Sequence, residues 1–208
     1  MIAQQLLARG IHDPRVLAVM LELPREAFIP PERRGLAYID APVGLSCGQT
    51  ISQPFIVAHM LELLALKPDD RVLEVGTGTG YQAALLAGLV REVVTLERLE
   101  PLASQARANL AALGIATCEV RVGDGTLGAP DRAPFDAIIV AAGGPRVPSA
   151  LVEQLAPGGR MVAPIGSRTQ QELVRVTRSP DGRTVRTEAL GGVMFVPLVG
   201  ADAWSEGD

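Results

Sequence analysis

Short apolar runs ending in glycine or an acid alternate with helix-length stretches through most of this chain, and that alternation limits its fold more than any other feature. From Arg71 onward the runs read "RVLEVG", "EVVTLE", "TCEVRVGDG", "FDAIIVAAG" and "GRMVAPIG". Between them lie "YQAALLAGLV", "LEPLASQARANLAALG" and "PSALVEQLAPGG", each read as a helix. Strands that alternate with helices join as βαβ units, so they form a mainly parallel sheet with helices on both faces. The last stretch, "QELVRVTRS" to "GGVMFVPLV", has strand-like runs with no helix between them, which predicts an antiparallel edge. The expected fold is therefore α/β, doubly wound, with one antiparallel margin.

The region before this pattern reads differently. "IAQQLLARGIHDPRVLAVMLELPREAFIP" predicts two short helices broken at Gly10 and around Pro24, with Asp13 as a cap and Pro14 at the first helical position. "PPERRGLAYIDAPVGLSCGQ" is rich in proline and glycine and is expected to be irregular. A helix should follow from about Pro54 to Leu66. Residues 1–53 are thus expected to form a helical and irregular extension packed on a core of residues 54–208, the two making one integrated domain.

Composition removes several function classes. The chain has 208 residues, 48% hydrophobic and 20% charged, enough for a full core and too apolar for disorder. Its net charge is -4 and only 3% of residues are aromatic, so it lacks the basic, aromatic surface that long nucleic acids require. No apolar run approaches the roughly 20 residues that a bilayer-spanning helix needs. The N-terminus "MIAQQLLARG" has no signal-peptide pattern. Cys47, Cys118, His12 and His59 have no zinc-site spacing. A cytoplasmic, metal-free monomer without nucleic-acid or membrane partners is the expectation.

In sheets of this kind ligands bind beyond the carboxyl ends of the strands, so strand ends carry the functional signal. The first ends in "GTGTG" (Gly76, Thr77, Gly78, Thr79, Gly80) and leads directly into a helix. Glycines there allow close backbone approach, and the helix start offers unpaired N–H groups. The spacing is not that of a dinucleotide fingerprint, which would place a glycine at Tyr81. The second strand ends in Glu97, a carboxylate able to accept both ribose hydroxyls of a nucleoside, whether of a nicotinamide cofactor or of S-adenosylmethionine. The third ends in "GDG", where Asp124 could accept from an adenine amine while Gly125 leaves room for the ring. Asp-Gly is also an ordinary turn signal.

Glycines at 76, 78 and 80, with Glu74 two residues ahead, resemble the first motif of class I S-adenosylmethionine-dependent methyltransferases. That likeness puts the loop beside the methionyl part of the cofactor and Glu74 near its amino group. With "GQTISQP" upstream, "LPREAFIP", "VLEVGTGTGYQAA", "GDG", "APFDAIIVAA", "QLAPGGRMVAPIG" and "FVPLV", the chain resembles protein-L-isoaspartate O-methyltransferases from about Gly10 to Val199. Only the tail "GADAWSEGD" lies outside the likeness. Such enzymes move a methyl group from S-adenosylmethionine, leaving S-adenosylhomocysteine, to the free carboxylate of isoaspartyl residues in damaged proteins and peptides. The ester then collapses to a succinimide that hydrolyses partly to normal aspartate.

The resemblance implies that Thr50 and Ser52 are catalytic and that Ile51, Ala141 and Ala142 border the substrate. A carboxylate is already ionised near neutrality, an aspartyl side chain having a pKa of about 3.9, so no general base is needed. The work left is alignment. Ser52 and Thr50 also suit a plain helix cap before Pro54, and Cys47 is expected to be incidental. Leu45 and Ser46 stand where the family tends to have Ile-Gly, and Gly143 and Gly144 where it has Ala or Pro, so peptide preference is expected to differ. Rival readings are a nicotinamide oxidoreductase, a methyltransferase with another acceptor such as nucleic acid, and a non-catalytic S-adenosylmethionine-binding module. The glycine spacing counts against the first, the acidic balance against a nucleic-acid acceptor, and the intact set Thr50, Ser52, Glu74, Glu97 and Asp124 against the last.

Overall fold

A computed structural model describes residues 1–207. Strands β3 (Arg71–Val75), β4 (Glu92–Glu97) and β6 (Phe135–Val140) are apolar on both faces, so each is buried between helical layers. β5 (Cys118–Val122) carries Glu119 and Arg121, is half-buried, and forms one edge of the sheet. β7 (Leu155–Gly166), β8 (Gln171–Arg178) and β9 (Val185–Val193) complete the order β5-β4-β3-β6-β7-β8-β9. The first five run parallel, while β8 is antiparallel to both of its neighbours. The antiparallel margin expected from the sequence is present.

The chain steps outward from β3 through β4 to β5, then returns to the other side of β3 as β6. Val75 pairs with Val140, so the loops after β3 and β6 diverge from adjacent strand ends and leave a crevice between them. Two apolar clusters cover the sheet. Val72 and Val93 face helix α2 (Pro54–Leu63) and helix α3 (Tyr81–Ala87), and helix α4 (Glu100–Ala112) links β4 to β5. Leu73, Val75, Val94 and Leu96 face Leu151 of helix α5 (Ser149–Glu153). Leu6, Ile11, Val16, Met20 and Phe28 belong to the first cluster, so the segment before Pro54 shares its core with α2 and α3. Helix α1 (Pro14–Glu22) begins as expected, with Asp13 accepting from the N–H groups of Arg15 and Val16.

Four local readings change. The first predicted helix is a π turn followed by a 3-10 turn, ended by Gly10 at φ 88°. The stretch read as irregular contains a small hairpin, β1 (Val43–Gly44) against β2 (Thr50–Ile51). Helix α2 stops at Leu63 rather than Leu66, because Ala65 adopts a left-handed φ of 46°. Arg160 fixes that end by donating to the carbonyls of Leu64 and Ala65 and to the Asp70 carboxylate. Finally, α5 ends at Glu153, and "LAPGG" belongs to β7. Leu155 pairs with Phe135 and Arg160 with Ala137, so residues 156–159 bulge from the ladder. Pro157 cannot donate in a helix interior, and Gly158 sits at φ 75°, which together end the helical path.

Candidate active site

The loop between β3 and α3 turns through Gly76 (φ 94°), Gly78 (φ 56°) and Gly80 (φ 94°), a left-handed backbone that L side chains rarely adopt. The threonines between them point inward. Thr77 Oγ1 lies 2.6 Å from Thr95 Oγ1, and Thr79 Oγ1 donates to the Phe28 carbonyl at 2.7 Å. Their hydroxyls anchor the loop, and its backbone and glycines face the crevice. Gly80 serves packing instead: a Cβ there would meet Ala106 at 3.3 Å.

Glu97 is 7% exposed and closes the loop from the neighbouring strand. Its Oε2 accepts from Gly78 N–H at 2.9 Å and its Oε1 from Leu99 N–H at 3.0 Å. Each carboxylate oxygen has a second lone pair, so both remain able to accept from a ligand.

The structure treats the other two acids differently. Asp124 is turned from the crevice: Oδ1 accepts from Thr126 N–H at 2.8 Å and Thr126 Oγ1 at 2.7 Å, and Oδ2 from Ala201 N–H at 2.7 Å. Partial burial raises its pKa, but these hydrogen bonds outweigh it and hold the carboxyl below its ordinary value. Gly125, not Asp124, reaches the cavity wall.

Glu74 is 0% exposed and lies beneath the glycine loop. It accepts from Gln82 Nε2 at 3.1 Å and bonds Thr95 Oγ1. Burial pushes its pKa up to about 8, with the Thr95 and Gln82 bonds opposing and Glu97 adding to the rise. The folded chain thus keeps a proton that the unfolded chain loses from about pH 4.5 upward. The contribution of Glu74 to stability should therefore fall as pH rises from about 4.5 to about 8, with a slope of up to about 1.4 kcal/mol per pH unit. Denaturant titrations of Glu74→Gln across that range should show a flatter limb, and an unchanged slope would place the proton elsewhere.

Two cavity regions meet at the crevice. The inner one runs from Gly76, Gly78, Leu96 and Glu97 past Gly125 to Ala142, and continues behind the loop to Thr77, Thr79, Ile51 and Ser52. The outer one, about 400 Å³, is lined by Arg9, Phe55, Val193, Met194 and Phe195 together with Thr50 and Ser52. Thr50 and Ala141 border both. Thr50 and Ile51 are held there by the β1–β2 hairpin, which pairs them with Gly44 and Val43. The residue capping α2 is Gln53, and no side chain accepts from the first amides of that helix. The capping role open to Ser52 and Thr50 is not the one their hydroxyls play.

Of the residues singled out in the sequence, Thr50, Ile51, Ser52, Gly76, Thr77, Gly78, Thr79, Glu97, Gly125, Ala141 and Ala142 therefore line the cavities. Glu74, Gly80 and Asp124 support the wall from behind. Val193 to Pro197 read from the sequence as either substrate wall or plain edge strand, and they line the cavities; the tail beyond them was missed. Val196, Pro197, Leu198 and Val199 line the inner cavity, and the chain then folds back so that Ala201 reaches Asp124 and Trp204 Nε1 donates to the Gly143 carbonyl at 3.0 Å. Only glycine fits at 200, since a Cβ would lie 2.0 Å from Asp124 Oδ1. The chain's single tryptophan, so close to its end, was the available signal.

Among the described residues no group of three or more His, Cys, Asp or Glu could hold a metal ion, and no helix is long and apolar enough to cross a membrane. The inner cavity does suit a nucleoside cofactor. A buried carboxylate lies at one strand end, and the space above Gly78 is open, with only Leu45 Cδ1 within reach of a Cβ at 3.9 Å.

A sheet that reverses direction beside a glycine loop, with an acid closing the loop from the next strand, is the framework of a class I S-adenosylmethionine-dependent methyltransferase. The sequence profile of the family described as protein-L-isoaspartate(D-aspartate) O-methyltransferase (PCMT) matches residues 1–203, and the chain belongs to that family. Protein-L-isoaspartate O-methyltransferase 1 of Rhodopseudomonas palustris (strain HaA2) is 54% identical over 206 residues, covering 99% of this chain and 84% of that one. The Methanoregula boonei protein-L-isoaspartate O-methyltransferase is also 54% identical, over 98% of this chain and 93% of its own. A solved Plasmodium falciparum protein of the same description, in complex with S-adenosyl-L-homocysteine, superposes with a TM-score of 0.83 at 30% identity, covering 95% of this chain and 96% of that one. The match extends into the tail that the motifs alone left out.

Proposed function

We propose that this chain methylates the free carboxylate of L-isoaspartyl residues in damaged proteins and peptides, taking the methyl group from S-adenosylmethionine. The observation that carries the reading is the meeting of the inner and outer cavities at Thr50 and Ala141, which gives a cofactor and an acceptor a common border. When bound, S-adenosylmethionine supplies an electrophilic methyl on a positively charged sulfur.

This chain's residues do the rest. Gly76 and Gly78 let the backbone approach a flat nucleoside, and the free lone pairs of Glu97 accept its ribose hydroxyls. Gly125 borders the same cavity, but its lack of a side chain serves packing, since a Cβ there would lie 2.3 Å from Val75 Cγ1. Thr77 and Thr79 fix the loop, Glu74 supports it from below, and Asp124 holds the tail against the far wall. Ser52 and Thr50 donate to the substrate carboxylate and orient it without protonating it. Ile51, Ala141 and Ala142 form the wall beside the reacting groups, and their small or flat surfaces exclude water. Arg9 and Pro42, from the extension over residues 1–53, line the outer cavity where the peptide enters. The chain is taken to act as a monomer.

The test is methyl transfer from labelled S-adenosylmethionine to two peptides that differ only in isoaspartate against aspartate. Base-labile label should enter the isoaspartyl peptide alone. Equal labelling of both would remove the selectivity, and no labelling of either would overturn the acceptor.

A further inference from the structure

"LPREAFIP" anchors the glycine loop through the Phe28 carbonyl, and its arginine is the largest fully buried side chain among the described residues. Arg25 is 0% exposed. Its Nε donates to the Ala37 carbonyl at 2.7 Å and its Nη2 to the Ser52 carbonyl at 2.7 Å. The guanidinium carbon lies 4.7 Å from the centre of the Tyr81 ring. Among the described residues no carboxylate forms an ion pair with it; its polar side-chain neighbour is the Tyr81 phenol, whose hydroxyl and Arg25 Nη1 are buried without a well-formed hydrogen bond. Burial draws its pKa down, but a guanidinium stays protonated at neutral pH. An unpaired buried cation is costly, and folds that need only packing there do better with an apolar side chain.

What this cation touches accounts for it. The same segment reaches both halves of the site, because the Phe28 carbonyl accepts from Thr79 of the glycine loop while Arg25 holds Ser52. A trans peptide is planar, so a carbonyl turned toward Arg25 sends the next N–H the opposite way. Gln53 follows Ser52 and lines the outer cavity with it. The Gln53 side chain is tied by Nε2 to the Asp40 carbonyl at 2.8 Å, which holds that residue in place.

We propose that Arg25 is a positioning residue for methyl transfer: it fixes the Ser52–Gln53 peptide so that the Ser52 hydroxyl and the Gln53 N–H face the incoming carboxylate, and its unpaired charge lies behind them as the counter-charge to that carboxylate. This rests on the reading of the site as a carboxyl methyltransferase and names what recognises the anion. The two parts have different kinetic consequences. A carboxylate loses its charge as the ester forms, so a distant cation attracts bound substrate at least as strongly as the reacting state and acts on KM. The hydrogen bond to Ser52 acts on alignment, and so on kcat.

Arg25→Lys keeps the charge and loses the fork; Arg25→Met keeps the length and loses both. With an isoaspartyl peptide, Arg25→Lys should lower kcat about 10-fold and leave KM within about twofold. Arg25→Met should lower kcat similarly and also raise KM about 10-fold. S-adenosylhomocysteine titration should show cofactor affinity within about threefold of the unsubstituted chain in both, which a general loss of structure would not allow. Unchanged kcat and KM in a variant that still binds the cofactor would overturn the positioning role. Equal KM values in Lys and Met variants would overturn the counter-charge. If the unsubstituted chain methylates no isoaspartyl peptide, the functional reading falls and this inference with it.

Discussion

Replacing Glu97 by alanine is expected to weaken the binding of S-adenosylhomocysteine about a hundredfold, since two hydrogen bonds to a charged acceptor at about 1.5 kcal/mol each amount to about 3 kcal/mol. The carboxylate stands at the end of β4 with its oxygens already holding the N–H groups of Gly78 and Leu99. One side chain therefore shapes the glycine loop and presents the free lone pairs that a ribose would use. Alanine removes both functions, and the Gly78 N–H loses the acceptor that keeps the loop in register. Glu97→Gln separates them. It has the same length, but its NH2 must face one of the two backbone N–H donors, so affinity should fall to an intermediate value. Calorimetric titration with the product cofactor reads the loss directly, and melting without ligand reads the effect on folding. Affinity within threefold of the unsubstituted chain would remove Glu97 from the ribose site.

What the sequence does not show for the three acids is direction: Glu97 borders the inner cavity, whereas Glu74 and Asp124 bond to partners within the fold. Each is an acid in or just beyond a strand, and residue type shows that an acid is there without showing which way it points. In a strand buried on both faces, as β3 is, polar and apolar positions do not alternate, so the facing of Glu74 is hidden in the sequence. Register decides it: Glu74 pairs with Thr95, and that neighbour gives its carboxyl a partner inside the fold. Asp124 was decided from 77 residues away, by the Ala201 N–H, a contact no local pattern encodes. The strands of the parallel core were readable because burial on both faces makes continuous apolar runs. The start of β7 was not, since Pro157 and two glycines resemble a helix terminus as much as a bulge. The site itself was legible where a backbone requirement fixed the residue type, as at Gly76 and Gly78. It was illegible where the requirement was a long-range bond to a carbonyl, as at Arg25.

Ser52→Ala is expected to lower kcat/KM for an isoaspartyl peptide about 10- to 100-fold, the range set by about 1.5–3 kcal/mol for a hydrogen bond to a charged acceptor. Cofactor affinity and melting temperature should stay within error. The asymmetry follows from what the hydroxyl does in the folded chain. Helix α2 is capped without it, with Gln53 as the N-cap residue and no side-chain bond to the first amides, so alanine leaves no buried donor or acceptor unpaired. Its only demanding partner would be the substrate. If Thr50 and Ser52 hold the same carboxylate, Thr50→Val combined with Ser52→Ala should cost less than the two separate losses together, because each single change already misaligns the shared anion. Full additivity would assign them to separate partners. A fall of several degrees in melting temperature with kcat/KM intact would return Ser52 to the helix start and leave the Gln53 N–H, held by Arg25, as the donor that must orient the carboxylate.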